Sequence, residues 1–321
     1  MGLKCWRNEI IVPPQNLSFM YNLYSYKLCG LGIKSTIPFP ELISKETFSD
    51  VIIRFENDEI FPNGRYDEKH HSANQSDIPI LWEKKLIFRV IGGKEIIVNP
   101  NISIGNVLLR TLILCQGMAV ILHQRGNLLL HASSVNMNGY AVAFMGQCGH
   151  GKSTTTFALT QKGYPLVTDD VLAINLECNP IPLVYPSFSR IKLNDDIIEY
   201  IKDSKNSFTK IHPDFQKYSY PVENNFSQDP LPLKRIYVLE KGETIEIQTL
   251  KSQDKLIELI KNTYTQGILN SSEKANNLSQ CSNLIKKVPI KHLTICHSLE
   301  KLEELVNVVE KDAIIFQKNI L

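Results

Sequence analysis

Gly146-Gln147-Cys148-Gly149-His150-Gly151-Lys152-Ser153 follows the apolar run Tyr140-Ala141-Val142-Ala143-Phe144-Met145 and opens a helical stretch from about Lys152 to Gln161. The eight residues fit G-x-x-x-x-G-K-[ST], the Walker A pattern, and they stand in the strand–loop–helix setting that the pattern requires. Glycines let such a loop wind so that backbone N–H groups face phosphate oxygens, and the helix behind it adds its positive end. Lys152 is placed to reach the β- and γ-phosphates, and the Ser153 hydroxyl to ligate Mg²⁺. The expected nucleotide contacts are therefore Gly146, Gln147, Cys148, Gly149, His150, Gly151, Lys152, Ser153 and Thr154.

Gly163 caps the helix, and a short strand over Pro165-Leu166-Val167 runs into Thr168-Asp169-Asp170. A carboxylate at that strand end can hold Mg²⁺. Neighbouring side chains on a strand point to opposite faces, so if the backbone turns there, the pair can divide between metal and acceptor hydroxyl. A turn or cap role for either Asp is the bland alternative. His131, at the end of Leu128-Leu129-Leu130, is the third candidate; its strand is expected beside the phosphate-loop strand, and a core role is the alternative. The remaining His residues show no metal-ligand spacing. Arg190 and Lys192, in Tyr185-Pro186-Ser187-Phe188-Ser189-Arg190-Ile191-Lys192-Leu193, are candidates for neutralising phosphate oxygens or members of an exposed basic strand.

Around this centre the chain reads as α/β. Val51-Ile52-Ile53-Arg54-Phe55 is a strand, and Leu86 to Val90 with Glu95 to Val98 form a hairpin across Gly92-Gly93. The polar segment 62–79 between them, with His70 and His71, reads as a loop. Residues 1–100 are thus expected as a mostly β N-terminal subdomain and 101–321 as the phosphate-loop domain. Apolar spacing over 104–123 predicts a helix. The apolar stretch 102–122 is interrupted by Arg110 and Gln116, so a buried helix is expected there and not a membrane span. Residues 203–232, rich in Ser, Asn and Pro, read as a long loop or lid. Lys234 to Leu239 and Thr244 to Thr249 read as a hairpin; 254–262 and 299–311 read as helices.

Of the 321 residues 43% are hydrophobic and 21% charged, enough for a sizeable core and against a disordered chain. A net charge of +2 argues against a nucleic-acid partner. The seven cysteines form no CxxC pair, and residues 1–10 lack an apolar run; free thiols, a cytoplasmic location and no membrane partner are expected.

Leu130-His131-Ala132-Ser133-Ser134-Val135, Gly139, the loop Gly146–Ser153 and Gly163-Tyr164-Pro165-Leu166-Val167-Thr168-Asp169-Asp170 resemble the catalytic core of the bacterial HPr kinase/phosphorylase family. The resemblance implies a P-loop kinase core of the HPr kinase/PEP carboxykinase type, with ATP and Mg²⁺ as cofactors. It implies Lys152 on phosphate, Ser153 and Asp170 on the metal, Asp169 as base toward a serine hydroxyl, and His131 beside the phosphates. The Glu-x-Arg-Gly core that this family carries downstream is absent, which speaks against the reverse phosphorylase reaction and against HPr as acceptor. Residues 26–42 resemble the opening of the HPr-kinase-related proteins of lasso-peptide pathways. That second resemblance implies a precursor peptide or small protein as acceptor, phosphorylated on a serine, typically at its C-terminus. Kinases of HPr or another regulatory protein, a non-catalytic nucleotide-binding regulator and a free-serine kinase stay open as alternatives. The HPr enzymes are hexamers, so the resemblance also leaves a homo-oligomer open.

Overall fold

A tight turn starts the structure. Strands β1 (Tyr24–Leu28) and β2 (Leu31–Ser35) are joined by Cys29 and Gly30, both at positive φ (51° and 79°), as a two-residue hairpin turn requires. The computed structural model describes residues 23–56, 76–178, 180–201, 208–212, 214, 216–222, 225–265, 267, 270–296 and 298–315. Cys5, His70, His71, His297 and most of the expected 62–79 loop lie outside them. Asp77 to Pro79, expected in that loop, begin a strand.

β3 (Val51–Phe55), β4 (Asp77–Trp82), β5 (Lys85–Ile91) and β6 (Glu95–Val98) complete a sheet in the order β1-β2-β3-β6-β5-β4. The expected hairpin is there, with Phe88 opposite Val98 and Ile91 opposite Glu95. One face of this sheet is covered by α1 (Asn106–Leu112), a π-helical turn (Ile113–Gly117) and α2 (Met118–Gln124). Gly117 permits the close approach, since a Cβ there would lie 3.0 Å from Ile96 Cδ1 and 3.2 Å from Phe88 Cε2. The apolar core of the sheet therefore continues into the helices across residue 100. The run 106–124 is long and apolar enough to cross a membrane, and 67% of it is buried inside the protein, as expected for a core helix.

The second sheet carries the phosphate loop. Its strands are β7 (Leu128–Leu130), β8 (Ala132–Met137), β9 (Tyr140–Met145), β10 (Leu166–Thr168), β11 (Leu172–Asn175) and β12 (Leu183–Val184), with α3 (Lys152–Gln161) between β9 and β10. β13 (Arg190–Asn194), β14 (Thr209–Lys210) and β15 (Lys217–Pro221) form a small separate sheet, with α4 (Asp195–Ile201) after β13. Part of the expected 203–232 loop is thus strand, because β15 pairs along β13 from Asn194 to Arg190.

β16 (Leu231–Gly242) returns to the second sheet, followed by β17 (Glu246–Thr249), α5 (Ser252–Lys261), α6 (Ser271–Lys287), β18 (Ile290–Cys296), a 3₁₀ turn (Leu299–Lys301) and α7 (Leu302–Ile315). The hairpin expected between β16 and β17 does not form. β18 inserts between them, parallel to β16 and antiparallel to β17, and supplies an apolar strand (Ile290, Leu293, Ile295) that a lone hairpin would lack.

The strand path of this sheet is β10-β8-β9-β16-β12-β11-β7. β7 and β8 stand far apart on it, yet His131 alone joins them in the chain. The sheet must therefore curl until β7 and β8 meet at a seam.

Behind β16, Arg235 is 1% exposed and pairs with Asp312 of α7, which also accepts from Tyr237 Oη at 2.7 Å and from Lys291. Burial pushes the Asp312 carboxyl up, but these donors outweigh it and hold it below its ordinary value. Its stabilisation is therefore present above about pH 4 and lost as pH falls through the depressed folded value. Asp312→Ala leaves the buried guanidinium without its carboxylate and should cost about 3 kcal/mol. Thermal unfolding at neutral pH reads this directly, and the gap between variant and parent should shrink toward pH 3.

Candidate active site at the sheet seam

Two chain segments cross the seam side by side. One runs β7–His131–β8, the other β10–Asp169-Asp170-Val171–β11, and they are antiparallel: Leu172 faces Leu130, and Thr168 faces Ser134. Each segment leaves one part of the curled sheet for the other at the same level. That brings His131 and Ser133 against Asp169 and Asp170. Asp170 takes a left-handed φ of 82°, a conformation that Asp tolerates better than most residues, and Thr168 Oγ1 donates to Val171 O at 2.7 Å to staple the turn.

The phosphate loop ends beside this crossing. Gly149 and Gly151 adopt φ of 80° and 79°, where a side chain is strained. At Gly151 a Cβ would also lie 2.5 Å from Ile295 Cδ1 of β18. Gly151 is the N-cap of α3 and supplies no side-chain cap, so the first-turn N–H groups remain for an anion. Lys152 is 7% exposed, and its Nζ donates to Gly146 O (2.7 Å) and Gln147 O (3.1 Å). Burial draws the ammonium below its ordinary value, against the Cys148 sulfur and the carboxylates of Asp170 and Asp169.

The two carboxylates have separate partners. Asp169, 4% exposed, accepts from Ser153 Oγ (2.9 Å) and Ser133 Oγ (2.6 Å) on Oδ1, and from the Lys192 backbone N–H (2.8 Å) on Oδ2. Asp170 accepts from Lys192 Nζ at 2.9 Å and stands 3.2 Å from His131 Nε2. Ser153 is thus hydrogen-bonded to Asp169, while Asp170, implied by the resemblance as the second metal ligand, meets Lys192 and His131. Burial would raise the Asp170 carboxyl, but Lys192 and His131 pull it down by more, far below the usual carboxylate range. Burial would lower Lys192, and the Cys115 sulfur (3.3 Å) and Asp170 raise it well above its ordinary value. Burial pushes the Cys115 thiol up to about 11, so it is neutral near pH 7 and Asp170 is the anion that keeps Lys192 charged.

One cavity joins these groups: His131, Ser133, Cys148, Gly149, Gly151, Lys152, Ser153, Thr154, Asp169, Asp170 and Lys192 all line it. Four expected contacts do not line it: Gly146 and Gln147, whose carbonyls accept from Lys152 Nζ, and His150 and Arg190. The His150 ring lies 3.0 Å from Leu239 O, and Arg190 donates to Ser219 Oγ at 3.2 Å while Lys192 on the same strand faces the cavity. Ser133 and Tyr264 are functional neighbours that the motif reading missed. The Tyr264 ring stands edge-on to His131, centroids 6.0 Å apart, and the His131 N–H donates to Asn262 O at 2.7 Å. Ser133 stands inside the Leu130–Val135 stretch of the resemblance without a role assigned there, and Tyr264 belongs to no recognisable spacing; the crossing brings both in. Among the described residues no three His, Cys, Asp or Glu side chains gather as a metal cage. The cysteines among them, Cys29, Cys115, Cys148, Cys178, Cys281 and Cys296, are free, as expected.

Strand, glycine loop, buried lysine and serine–aspartate pair make this the site of a P-loop nucleotide-binding protein on a mixed α/β fold. No protein-family model matches the chain. Among curated proteins it is similar to the tRNA modification GTPase MnmE of Prochlorococcus marinus. Against that of strain MIT 9215 it is 29% identical over 149 residues, 42% of this chain and 31% of that protein. Against that of strain MIT 9312 it is 27% identical over 205 residues, 56% of this chain and 42% of that protein. The chain thus spans about a third to two-fifths of the length of these relatives. Among solved structures it is similar to the HPr(Ser) kinase/phosphatase from Coxiella burnetii, with a TM-score of 0.32 and 10% identity over 60% of this chain and 92% of that one.

Lys152→Ala should leave a folded protein, because the ammonium bonds only loop carbonyls and contributes nothing to an apolar cluster. Nucleotide affinity should fall by at least about tenfold, the loss of one charge-assisted phosphate contact. Calorimetry with ATP, paired with thermal unfolding, reads both. An unfolded variant would assign the lysine to structure.

Proposed function

We propose that the protein is a Mg²⁺-dependent kinase that transfers the terminal phosphoryl group of ATP to a serine hydroxyl of a peptide or small protein, in the cytoplasm. The acceptor favoured by the resemblance is the precursor of a ribosomal, lasso-type peptide. The observation that carries the reading is the division of labour between the two aspartates. Asp169 is committed to the phosphate-loop serine, while Asp170 meets a histidine and a lysine on the cavity wall. A protein that only binds nucleotide has no use for the second carboxylate and its partners.

Mg²⁺ suits this donor set. It takes hard oxygen ligands, binds through one or two carboxylates plus substrate phosphates, and needs no cage of protein side chains. Ser153 Oγ and Asp169 would hold it, and the bound ion would neutralise charge on the β- and γ-phosphate oxygens. Lys152 and the α3 N-terminus bind the phosphates. Lys192 adds positive charge where the phosphoryl group is transferred. Asp170 stays ionised because Lys192 stabilises its charge, so it accepts the hydrogen bond of the serine O–H, orients the oxygen and takes its proton as the O–P bond forms and the bond to ADP breaks. His131, held by Asn262 O and Tyr264, keeps that carboxylate in place. Phosphoryl transfer through a loose transition state asks for orientation and charge more than for a strong base, so a carboxylate of low basicity serves. These roles exchange Asp169 and Asp170 relative to those the resemblance implies, and the reason is the partner of Ser153.

Asp170→Asn should retain Mg²⁺–ATP binding within a few-fold and lose about 10²–10⁴-fold in phosphate transfer. Asp169→Asn should weaken Mg²⁺–ATP binding first. Transfer to a serine-containing precursor peptide is followed by mass spectrometry, with calorimetry in parallel. The opposite pattern would return the roles to the family's order. Full activity in both variants would exclude a kinase that works through this pair.

A further inference from the structure

The cavity does not end at the phosphate loop. Beyond the phosphate-loop residues it is also lined by Ile295 near the end of β18, Leu299 in the 3₁₀ turn, and Leu302 and Leu305 of α7. Asn194, Asp196, Lys217 and Ser298 line it as well, while Ser153, Asp169, Asp170 and His131 converge beside the phosphate loop. A nucleotide whose terminal phosphate faces those groups must direct its nucleoside away from them.

We infer that this aliphatic shelf, Ile295, Leu299 and Leu302 with Leu305 behind, is the seat of the nucleobase. The inference rests on the nucleotide reading of the site and adds the subsite that the phosphate loop does not supply. The shelf is preformed. Leu299 leans on the cluster of Ile191, Leu193 and Ile197, and Leu302 on that of Val306, Val309 and Leu239. Both keep part of their surface open. Side chains held on one side by a core and open to a cavity on the other offer apolar area at little entropic cost. A purine face is flat and apolar and matches such a surface. The shelf is also indexed to the loop, because Ile295 Cδ1 occupies the space that a Cβ on Gly151 would take. Base and phosphate subsites are thereby set at a fixed separation.

The test compares Mg²⁺–ATP with inorganic tripolyphosphate plus Mg²⁺ by calorimetry on the full chain. Leu302→Ala should bind ATP about tenfold more weakly, the scale of an apolar group removed from a binding pocket. Its tripolyphosphate affinity should be unchanged. Leu299→Ala is read in the same way should Leu302→Ala unfold, as thermal melting would show. ATP affinity equal to that of the parent, or equal weakening of both ligands, overturns the shelf assignment. A parent protein that binds tripolyphosphate as tightly as ATP does so too, while leaving the phosphate loop's role intact. A parent that binds neither ligand sinks the nucleotide reading and the shelf with it.

Discussion

The buried carboxylate of Asp169 holds three parts of the chain at one point. It accepts from Ser133 of β8, from Ser153 of α3 and from the backbone of Lys192 in β13. These hydrogen bonds tie together the seam of the curled sheet, the helix that carries the phosphate loop and the small sheet that brings in the lysine. Buried carboxylate oxygens need hydrogen-bond donors, so each donor is needed in its place. Asp170 can be left to other partners because its neighbour has fixed the backbone. The left-handed turn at Asp170 then swings its side chain toward His131 and Lys192.

A second constraint braces the loop against the strands beside it. The ring of His150 meets Leu239 O, a Cβ on Gly146 would lie 2.8 Å from that same carbonyl, and Gly151 lies against Ile295. Leu239 and Ile295 belong to β16 and β18, which pair in parallel register, Leu239 facing Leu293. The loop thus rests on two strands, and its glycines are there as much for that close contact as for an anion.

The phosphate loop, α3, β9 and the β5–β6 hairpin are legible in the sequence because local patterns specify them: glycine spacing, an apolar run and a two-glycine turn. α6 is not, since Ser271 to Lys287 is mostly polar with only a thin stripe at Cys281 and Leu284; the visible clue is the capping box of Asn270 and Glu273. β18 is missed because its partners are set by tertiary pairing, not by a turn, and for the same reason β16 and β17 read as a false hairpin. The side chains that type and spacing single out, Lys152, Ser153, Asp169, Asp170 and His131, all line one cavity. Which aspartate meets Ser153 is not legible that way, because alternation along a strand says nothing about a residue at positive φ. His150 and Arg190 show the converse: a position inside or near a motif need not point into the cavity.

The order in which the strands are made has its own consequence for synthesis. β9 pairs with β16, and β16 with β18, so the platform beneath a loop at residues 146–153 is completed only by residues 290–296. A nascent chain ending near residue 200 would carry the whole Walker A sequence, both aspartates and His131, with nothing underneath the loop. Folding of this half must wait for the C-terminal third. Pairings so distant in the chain are slow to close, and in the interval β9 has β8 on one side and no partner on the other.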